Sequence, residues 1–335
     1  MSLLQRLGAF RGKRVLVLAD LVADEFVYGR IERVSREAPV LILQHDGADV
    51  RLGGGGNAAH NIRTLGGAPI PIGALGRDSH GRKLRSLLRR KGIATAGTFG
   101  VRGYVTPVKT RILAGGSHST KQQIVRIDRA TRIPEGSGAE RRVLKALGAF
   151  RGAVDAVLVS DYGFGLLTPA VVRAAIALAR RRRVPVTVDS RHGLLSFRGM
   201  TAVTPNEPEV EEALGITIGN DQKRLESAGR SLLRRLGAKA VLITRGSDGM
   251  ALFEPSQRTL HIPIFGSDEV ADVTGAGDAV IATFTLALAA GASPAEASRL
   301  ANYAGGVVVM KRGTATVSRA ELKAAVVRDR DATGR

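Results

Sequence analysis

The sequence predicts an α/β protein whose mostly parallel sheet carries helices on both faces, and two observations support this fold class. Short apolar runs rich in β-branched residues alternate along the chain with segments whose apolar residues recur at helical spacing. The predicted strands are residues 14–19, 154–160, 184–189 and 240–244, and the clearest predicted helices are residues 168–182 and 225–236. Alternation of this kind is typical of parallel strands joined by crossover helices.

Two segments, residues 27–52 and 104–127, break this rhythm, because they alternate with a two-residue period and contain turn residues. They predict antiparallel strands that pair as a small second sheet. We place this sheet as a lid, at about residues 25–52 and 104–128, because sites in open α/β sheets lie beyond the carboxyl ends of the strands. The whole chain, residues 1–335, fits one domain with this lid.

The composition excludes several classes of protein. The chain contains no cysteine, so disulfides, thiolate metal sites and cysteine nucleophiles are excluded, and a reducing compartment is favoured. No apolar run reaches the roughly 18 to 20 residues that a membrane span needs. Arginines at positions 6 and 11 interrupt the N-terminal apolar stretch, which argues against a signal peptide. We therefore expect a cytoplasmic protein with no membrane partner.

The formal charge of +20 favours anionic partners, which include nucleic acids and phosphorylated small molecules. The basic residues are spread over predicted helices, as expected for a solvated surface. Only four tyrosines, nine phenylalanines and no tryptophan are available to stack on bases, which argues against nucleic acid. A non-catalytic nucleic-acid binder stays as the alternative from another class, and salt-sensitive DNA binding without kinase turnover would favour it.

The strongest motif reads Asp-Val-Thr-Gly-Ala-Gly-Asp at residues 272–278 and precedes an apolar helical run. Backbone N–H groups of Gly275, Ala276 and Gly277 can converge at a helix N-terminus, where the dipole favours an anion such as a transferring phosphoryl group. Asp278, one step inside the helix, can take a proton from an attacking hydroxyl. The alternative makes Asp278 a helix cap and the glycines a plain loop.

A second glycine-rich stretch, residues 53–56, is followed by Asn57 and a helical pattern. Gly54 and Gly55 would let a flat ligand approach the backbone, and Asn57 could bond to a sugar hydroxyl. A dinucleotide fingerprint is an alternative, but that motif normally follows the first strand, and here an aspartate ends that strand. A purely structural turn is the other alternative.

Two carboxylates, Asp20 and Asp24, follow the first predicted strand at the carboxyl edge of the sheet. Paired carboxylates in this place can bind vicinal hydroxyls through charge-assisted hydrogen bonds. Asx turns are the alternative interpretation.

The stretch Thr-Pro-Asn-Glu-Pro-Glu at residues 204–209 opens a predicted helix after a strand. Asn206 and Glu209 then lie one turn apart, and hard oxygen ligands in this arrangement suit Mg²⁺ beside nucleotide phosphates. A capping box between the same two residues explains the spacing equally well.

Together these motifs resemble the ribokinase-like (PfkB) family of carbohydrate kinases across nearly the whole chain. The resemblance implies a phosphotransferase that uses ATP and Mg²⁺ and leaves open a monovalent cation. It implies Asp278 as the catalytic base, Gly275, Ala276 and Gly277 as the anion hole, and Asn206 and Glu209 as the metal and phosphate region. Further ATP-binding residues by resemblance are Arg191, Thr244, Gly246, Gly249, Thr274 and Asn302.

Within the family, the chain is most similar to kinases that phosphorylate C1 of D-glycero-β-D-manno-heptose 7-phosphate during lipopolysaccharide inner-core synthesis. The stretches that carry this similarity are residues 20–24, 28–29, 35–40, 122–128, 160–162 and 313–318. Expected substrate contacts are Asp20, Asp24, Gly54, Gly55, Asn57, Lys109, Arg111, Gln123 and Asp161, with Lys121 as a further candidate for the substrate phosphate.

The chain differs from these kinases at one position near the Ser-Asp-Tyr stretch. They have a lysine two residues after the tyrosine of that stretch, and this chain has Phe164. Arg191 replaces the lysine of an expected Asp-Pro-Lys, and residues 115–121 are lengthened. A fructokinase, ribokinase or phosphofructokinase-like enzyme is therefore the alternative. In bifunctional relatives a nucleotidyltransferase domain follows the kinase, and we expect no such domain within these residues. We expect a homodimer that forms through the lid.

Overall fold

A computed structural model describes residues 2–116, 121–266 and 272–333. In chain order the strands are β1 (Arg14–Ala19), β2 (Leu21–Val34), β3 (Leu41–Gly54), β4 (Ala68–Gly76), β5 (Thr98–Val101), β6 (Val108–Gly115), β7 (Gln122–Arg129), β8 (Ala156–Asp161), β9 (Val186–Ser190), β10 (Ala202–Val203), β11 (Ala240–Thr244), β12 (Met250–Phe253) and β13 (Leu260–Ile262). The α-helices are α1 (Leu3–Gly8), α2 (Gly55–Thr64), α3 (Ser79–Arg90), α4 (Ala139–Ala149), α5 (Pro169–Arg182), α6 (Glu207–Leu214), α7 (Gln222–Leu236), α8 (Ala276–Ala289), α9 (Pro294–Val309) and α10 (Arg319–Thr333).

Nine strands form the large sheet in the order β13-β12-β11-β10-β9-β8-β1-β4-β5. All pairs from β11 to β5 are parallel, whereas β12 and β13 add an antiparallel edge. The four strands predicted from apolar runs all lie in the parallel part, within two residues of the predicted bounds. The predicted fold class is confirmed.

Helices cover both faces of this sheet because successive side chains of each buried strand point to opposite sides. In β1, Val15, Val17 and Ala19 face a core that includes α2, α8, α9 and α10. The alternate residues Leu16 and Leu18 face a second core that includes α4, α5 and α7. Within the described ranges, no helix combines the length and the apolar character that crossing a membrane would require.

The two segments with two-residue alternation form the small sheet, in the order β3-β2-β6-β7. The outer pairs β2–β3 and β6–β7 are antiparallel, but the central pair β2–β6 is parallel. That pair is parallel because the chain passes through α2, β4, α3 and β5 between the two hairpins. A single residue, Asp20, separates the end of β1 from the start of β2, which places the small sheet at the carboxyl edge of the large sheet.

Candidate active site

Asp278 lies in the first turn of α8, and the residue is 4% exposed. Asn57 Nδ2 donates to Asp278 Oδ2 at 2.9 Å, and the Tyr162 hydroxyl donates to Oδ1 at 3.0 Å. These partners come from α2 and from the loop after β8, so the fold joins three distant segments at one carboxylate. Each oxygen keeps a lone pair for a further proton donor.

The environment of Asp278 tunes this group for proton transfer near neutrality. Burial raises the pKa of Asp278 to about 7, although hydrogen bonds from Asn57 and Tyr162 oppose the shift. The charge of Asp24 raises this pKa further, and Lys109 lowers it. A carboxylate with a pKa close to the working pH is well matched to general base catalysis.

The glycine loop before α8 needs glycine at one position for steric reasons. Gly275 has φ +82°, and a Cβ there would lie 2.6 Å from Asn57 Nδ2. Gly277 faces open space, which leaves room for an anion at the helix N-terminus. Of the three predicted donors, Ala276 differs, because its N–H donates to the Val273 carbonyl at 3.2 Å.

Asp272 holds this loop against the segment that follows α9. Its Oδ1 accepts from the N–H of Thr274 at 2.9 Å, and its Oδ2 accepts from the N–H of Gly313 at 2.9 Å. The predicted ATP-binding residue Thr274 therefore lies in the loop that leads to the helix N-terminus.

Asn57 is oriented by a second asparagine on the next turn of α2. Asn61 Nδ2 donates to Asn57 Oδ1 at 3.3 Å, and the Val317 N–H donates to Asn61 Oδ1 at 3.1 Å. This chain of bonds fixes the Asn57 amide with its nitrogen toward Asp278. Both ends of the Asn57 amide bond within the protein, and the sugar contact expected for this residue stays a prediction.

Asp24 and Arg111, both predicted to contact substrate, form a buried ion pair. Arg111 Nη1 lies 2.8 Å from Asp24 Oδ1, and the side chains are 9% and 6% exposed. The Thr314 hydroxyl donates to the other oxygen of Asp24 at 2.5 Å. A Cβ on Gly53 would lie 2.5 Å from the Asp24 carboxylate, so the strand beside it needs glycine. The pair joins β2 to β6 and to the segment after α9.

Asp20 and Asp161, two further predicted substrate contacts, shape the loop that carries Tyr162. The backbone N–H groups of Tyr162 and Phe164 donate to Asp20 Oδ2 at 2.9 and 3.2 Å. Asp161 Oδ2 accepts from the Ser190 hydroxyl at 2.7 Å. Burial, and then the charge of Asp161, raise the pKa of Asp20 to about 7.

Lys109 is the lysine of the small sheet that comes close to Asp278. Its Nζ lies 4.9 Å from the centroid of the Tyr162 ring. Burial, and then the charge of Arg191, lower the pKa of Lys109, while nearby carboxylates that include Asp278 oppose the shift. The predicted residues Lys109 and Arg191 therefore contribute positive charge to one region.

Gln123 and Lys121 lie elsewhere on the small sheet. Gln123 is exposed on β7 and pairs with Leu113, four residues beyond Lys109 along β6, which is about 13 Å at strand spacing. Lys121 forms an ion pair with Asp46. Within the described part of the chain, the structure does not bring these two residues to Asp278.

Asn206 and Glu209 form the capping box that was one of the two interpretations of their spacing. Asn206 Oδ1 accepts from the Glu209 N–H at 2.8 Å, and Glu209 Oε2 accepts from the Asn206 N–H at 2.9 Å. Burial raises the pKa of Glu209, although Arg191 and His192 oppose the shift. Burial also raises the pKa of the neighbouring Asp189 well above its usual range, and the charge of Glu209 raises it further.

The two buried carboxyl groups of Glu209 and Asp189 would be stabilised in their charged forms by a cation bound beside α6. Among residues 2–116, 121–266 and 272–333, no three histidine or carboxylate side chains converge in metal-binding geometry. A magnesium ion here would complete its shell with water and nucleotide phosphates.

The other predicted ATP-binding residues lie beside the β11–β13 edge of the large sheet. Thr244 ends β11, and Gly246 (φ +54°) and Gly249 (φ +78°) form the turn into β12. A Cβ on Gly249 would lie 2.1 Å from the Ile262 carbonyl, so this turn needs glycine for both conformation and space. Asn302 on α9 donates to a backbone carbonyl just after β13 at 2.8 Å.

Tyr162, whose hydroxyl bonds to Asp278, is a site residue for which the sequence patterns predicted no role. One signal pointed to it, because it directly follows β8, and β8 pairs with β1 in the parallel sheet. The carboxyl ends of such neighbouring strands meet at one edge, where sites of open α/β sheets lie.

Residues 21–321 match the family described as pfkB family carbohydrate kinase. A curated relative from Geobacter metallireducens, named bifunctional protein HldE, is 43% identical over 313 residues, which are 93% of this chain and 62% of the relative. The chain thus spans less than two thirds of the length of this relative.

Two solved structures share the fold. Escherichia coli phosphofructokinase-2 in complex with potassium has a TM-score of 0.73 at 20% identity, with 95% of this chain and 99% of that chain covered. Arabidopsis thaliana ribokinase complexed with ribose and ATP has a TM-score of 0.68 at 20% identity, with 94% and 99% covered. At these identities the similarity shows the fold alone.

Proposed function

We propose, from the premise that this chain belongs to the pfkB family of carbohydrate kinases, that it phosphorylates C1 of D-glycero-β-D-manno-heptose 7-phosphate with ATP. An ATP-dependent sugar kinase follows from the family itself. The observation that carries the chemistry is the buried carboxylate of Asp278 at the glycine-rich N-terminus of α8. The choice of acceptor is supported by the stretches that resemble heptose 7-phosphate kinases.

In the proposed reaction, Asp278 accepts the proton of the sugar hydroxyl as the hydroxyl oxygen attacks the γ-phosphorus of ATP. A new oxygen–phosphorus bond forms, the bond to the β-phosphate oxygen breaks, and ADP leaves with the bonding electrons. The N-terminus of α8 supplies backbone donors and a positive dipole end to the transferring group. Asp278 then releases its proton to solvent.

We propose that Glu209, with Asn206, organises Mg²⁺ through water at the phosphates. Such an ion, when bound, neutralises charge on the triphosphate during transfer. The proposal is compatible with the capping box, because that box uses one lone pair on each side chain and leaves Glu209 Oε1 available. A monovalent cation stays a further proposal, supported by the potassium complex of E. coli phosphofructokinase-2, and replacing potassium by tetramethylammonium in the kinase assay would test it.

Replacing Glu209 by Gln should raise the magnesium concentration for half-maximal rate by roughly tenfold, the lower end of the effect of losing a group that orients a metal ligand. The Gln side chain can still accept the N–H of Asn206, so the cap and the fold should persist. A magnesium titration of the initial rate measures this effect, with thermal unfolding as the check on the fold. An unchanged titration would leave Glu209 as a helix cap alone.

The acceptor itself is tested with a panel of heptose 7-phosphate, unphosphorylated heptose, fructose 6-phosphate, fructose and ribose. If charged side chains such as Lys109 bind the phosphate of the acceptor, its removal should lower kcat/KM by about 10²-fold or more. Coupled ADP release gives the rates, and phosphorus–proton NMR gives the position of the new phosphate. Equal use of a neutral sugar would refute the heptose 7-phosphate assignment and favour a fructokinase-like or ribokinase-like function.

We also propose a second copy of this chain as the partner that covers the small sheet. Every residue of β7 is exposed, including three apolar ones, and apolar strand edges of this kind favour association. The exposed large apolar side chains of the small sheet are Ile31, Val34, Leu41, Ile124, Val125 and Ile127. Sedimentation equilibrium decides the matter, since a monomer at micromolar concentration would exclude this partner.

A further inference from the structure

We propose that Tyr162 is a positioning residue for phosphoryl transfer, whose hydroxyl keeps the Asp278 carboxylate ionised and aimed at the acceptor. The inference rests on the proposed role of Asp278 as the base. It adds a second side chain, which sets the pH at which Asp278 is ionised and the orientation of its carboxylate.

The Tyr162 hydroxyl donates to Asp278 Oδ1 at 3.0 Å. Within the described residues, this is the one hydrogen bond that the hydroxyl makes. With Asn57 on Oδ2, both carboxylate oxygens are held, which fixes the plane of the carboxylate and the direction of its remaining lone pairs. A base aimed in this way favours proton transfer because the reacting geometry exists before the acceptor arrives.

The tyrosine is itself held from three sides. Its N–H donates to Asp20 Oδ2 at 2.9 Å, and the Nζ of Lys109 lies 4.9 Å from the ring centroid. On the third side is Gly54, where a Cβ would lie 3.1 Å from a ring carbon. Because Gly54 also has φ +54°, glycine is favoured there for both conformation and space. The ring therefore has little freedom to turn its hydroxyl away from Asp278.

The charged groups around Asp278 affect its ionisation, and the hydrogen bond from Tyr162 acts together with them. Asp24 and Asp189 repel its negative charge, whereas Lys109 attracts it. Burial and nearby carboxylates raise the pKa of Tyr162 well above 10, so its hydroxyl stays protonated and donates across the neutral range. The bond lowers the pKa of Asp278, which opposes the larger effect of burial.

The test is the pH dependence of kcat/KM for Tyr162→Phe, measured with ATP and heptose 7-phosphate, or with whichever acceptor of the panel supports turnover. Losing a bond to a charged acceptor raises the pKa of Asp278, so the acid limb should move to higher pH by about one unit. The rate should fall about tenfold at pH 6 and recover partly at pH 9. The titration of the substrate phosphates is common to both enzymes and cancels in the comparison.

Tyr303→Phe is the matched control, because it also removes a tyrosine–carboxylate hydrogen bond, here to Asp329 Oδ2 at 2.6 Å. That bond joins α9 to α10 and does not involve Asp278. Tyr303→Phe should therefore leave the acid limb where the wild-type profile has it.

A double variant separates this inference from the proposed base. In the Asp278→Asn background, Tyr162→Phe should lower the rate by less than about threefold. The effects of substituting two residues that act as a unit do not add, because the first substitution already removes their joint contribution. A full multiplicative loss, or an unmoved acid limb in Tyr162→Phe, would overturn the positioning role. Normal turnover of Asp278→Asn would instead overturn the base assignment on which it rests.

Discussion

Replacing Asp278 by Asn should lower turnover by about 10²- to 10⁴-fold, the usual range for a lost general base. The fold should persist, because the substitution is nearly isosteric. The new amide can turn its oxygen to Asn57 and its nitrogen to the Tyr162 hydroxyl, which accepts as well as donates. The loss should therefore appear in kcat and leave the affinity for ATP unchanged.

Steady-state rates over pH 6 to 9, together with ATP binding by calorimetry and thermal unfolding, measure this prediction. Asp272→Asn serves as a comparison, because its carboxylate accepts two backbone N–H groups of the same glycine-rich region. Near-normal turnover of Asp278→Asn with intact ATP binding would remove this carboxylate from the chemistry.

The sheet could be predicted from the sequence because its signals are local. Residues 14–19 and 240–244 are apolar runs that must be buried on both faces, and the structure places them as β1 and β11. The glycine motif before α8 is local too, since Gly275 adopts a left-handed conformation that L side chains disfavour. Such features need only neighbouring residues to be recognised.

Side-chain partners at the site could not be predicted in this way. Tyr162 and Asp278 are 116 residues apart in sequence, and Asp24 and Arg111 are 87 apart. Both members of the second pair were expected at the substrate, Asp24 through hydrogen bonds to sugar hydroxyls and Arg111 through its charge at the substrate phosphate. Nothing in the local pattern shows that the strand register brings them together.

The segment around Asn206 shows an intermediate case. Its spacing predicted a helix start, and both the capping box and the metal-binding interpretation depend on that start. The structure shows the capping box, and it also shows the neighbouring Asp189, whose repulsion with Glu209 no local pattern contains. The case for a cation rests on this second carboxyl group, beside Glu209, rather than on the spacing.

Replacing Arg111 by Ala should lower the free energy of unfolding by about 3 to 5 kcal/mol, the usual cost of breaking a buried ion pair from one side. The Asp24 side chain, which is 6% exposed in the intact pair, would keep only the Thr314 hydroxyl as a side-chain partner. The Phe26 ring would also lose a guanidinium 5.5 Å from its centroid. Urea unfolding followed by circular dichroism measures the change.

Arg126→Ala is the matched control on the same small sheet, because its pair with Asp128 has both side chains 43% exposed. Solvent screens such pairs, so the control should cost less than about 1 kcal/mol. The double variant Asp24→Asn/Arg111→Met removes both charges and should recover more than half of the loss, because the uncompensated buried charge is then gone. If Arg111→Ala costs no more than Arg126→Ala, or if the double variant recovers nothing, the buried pair does not stabilise the joint between the small sheet and the segment after α9.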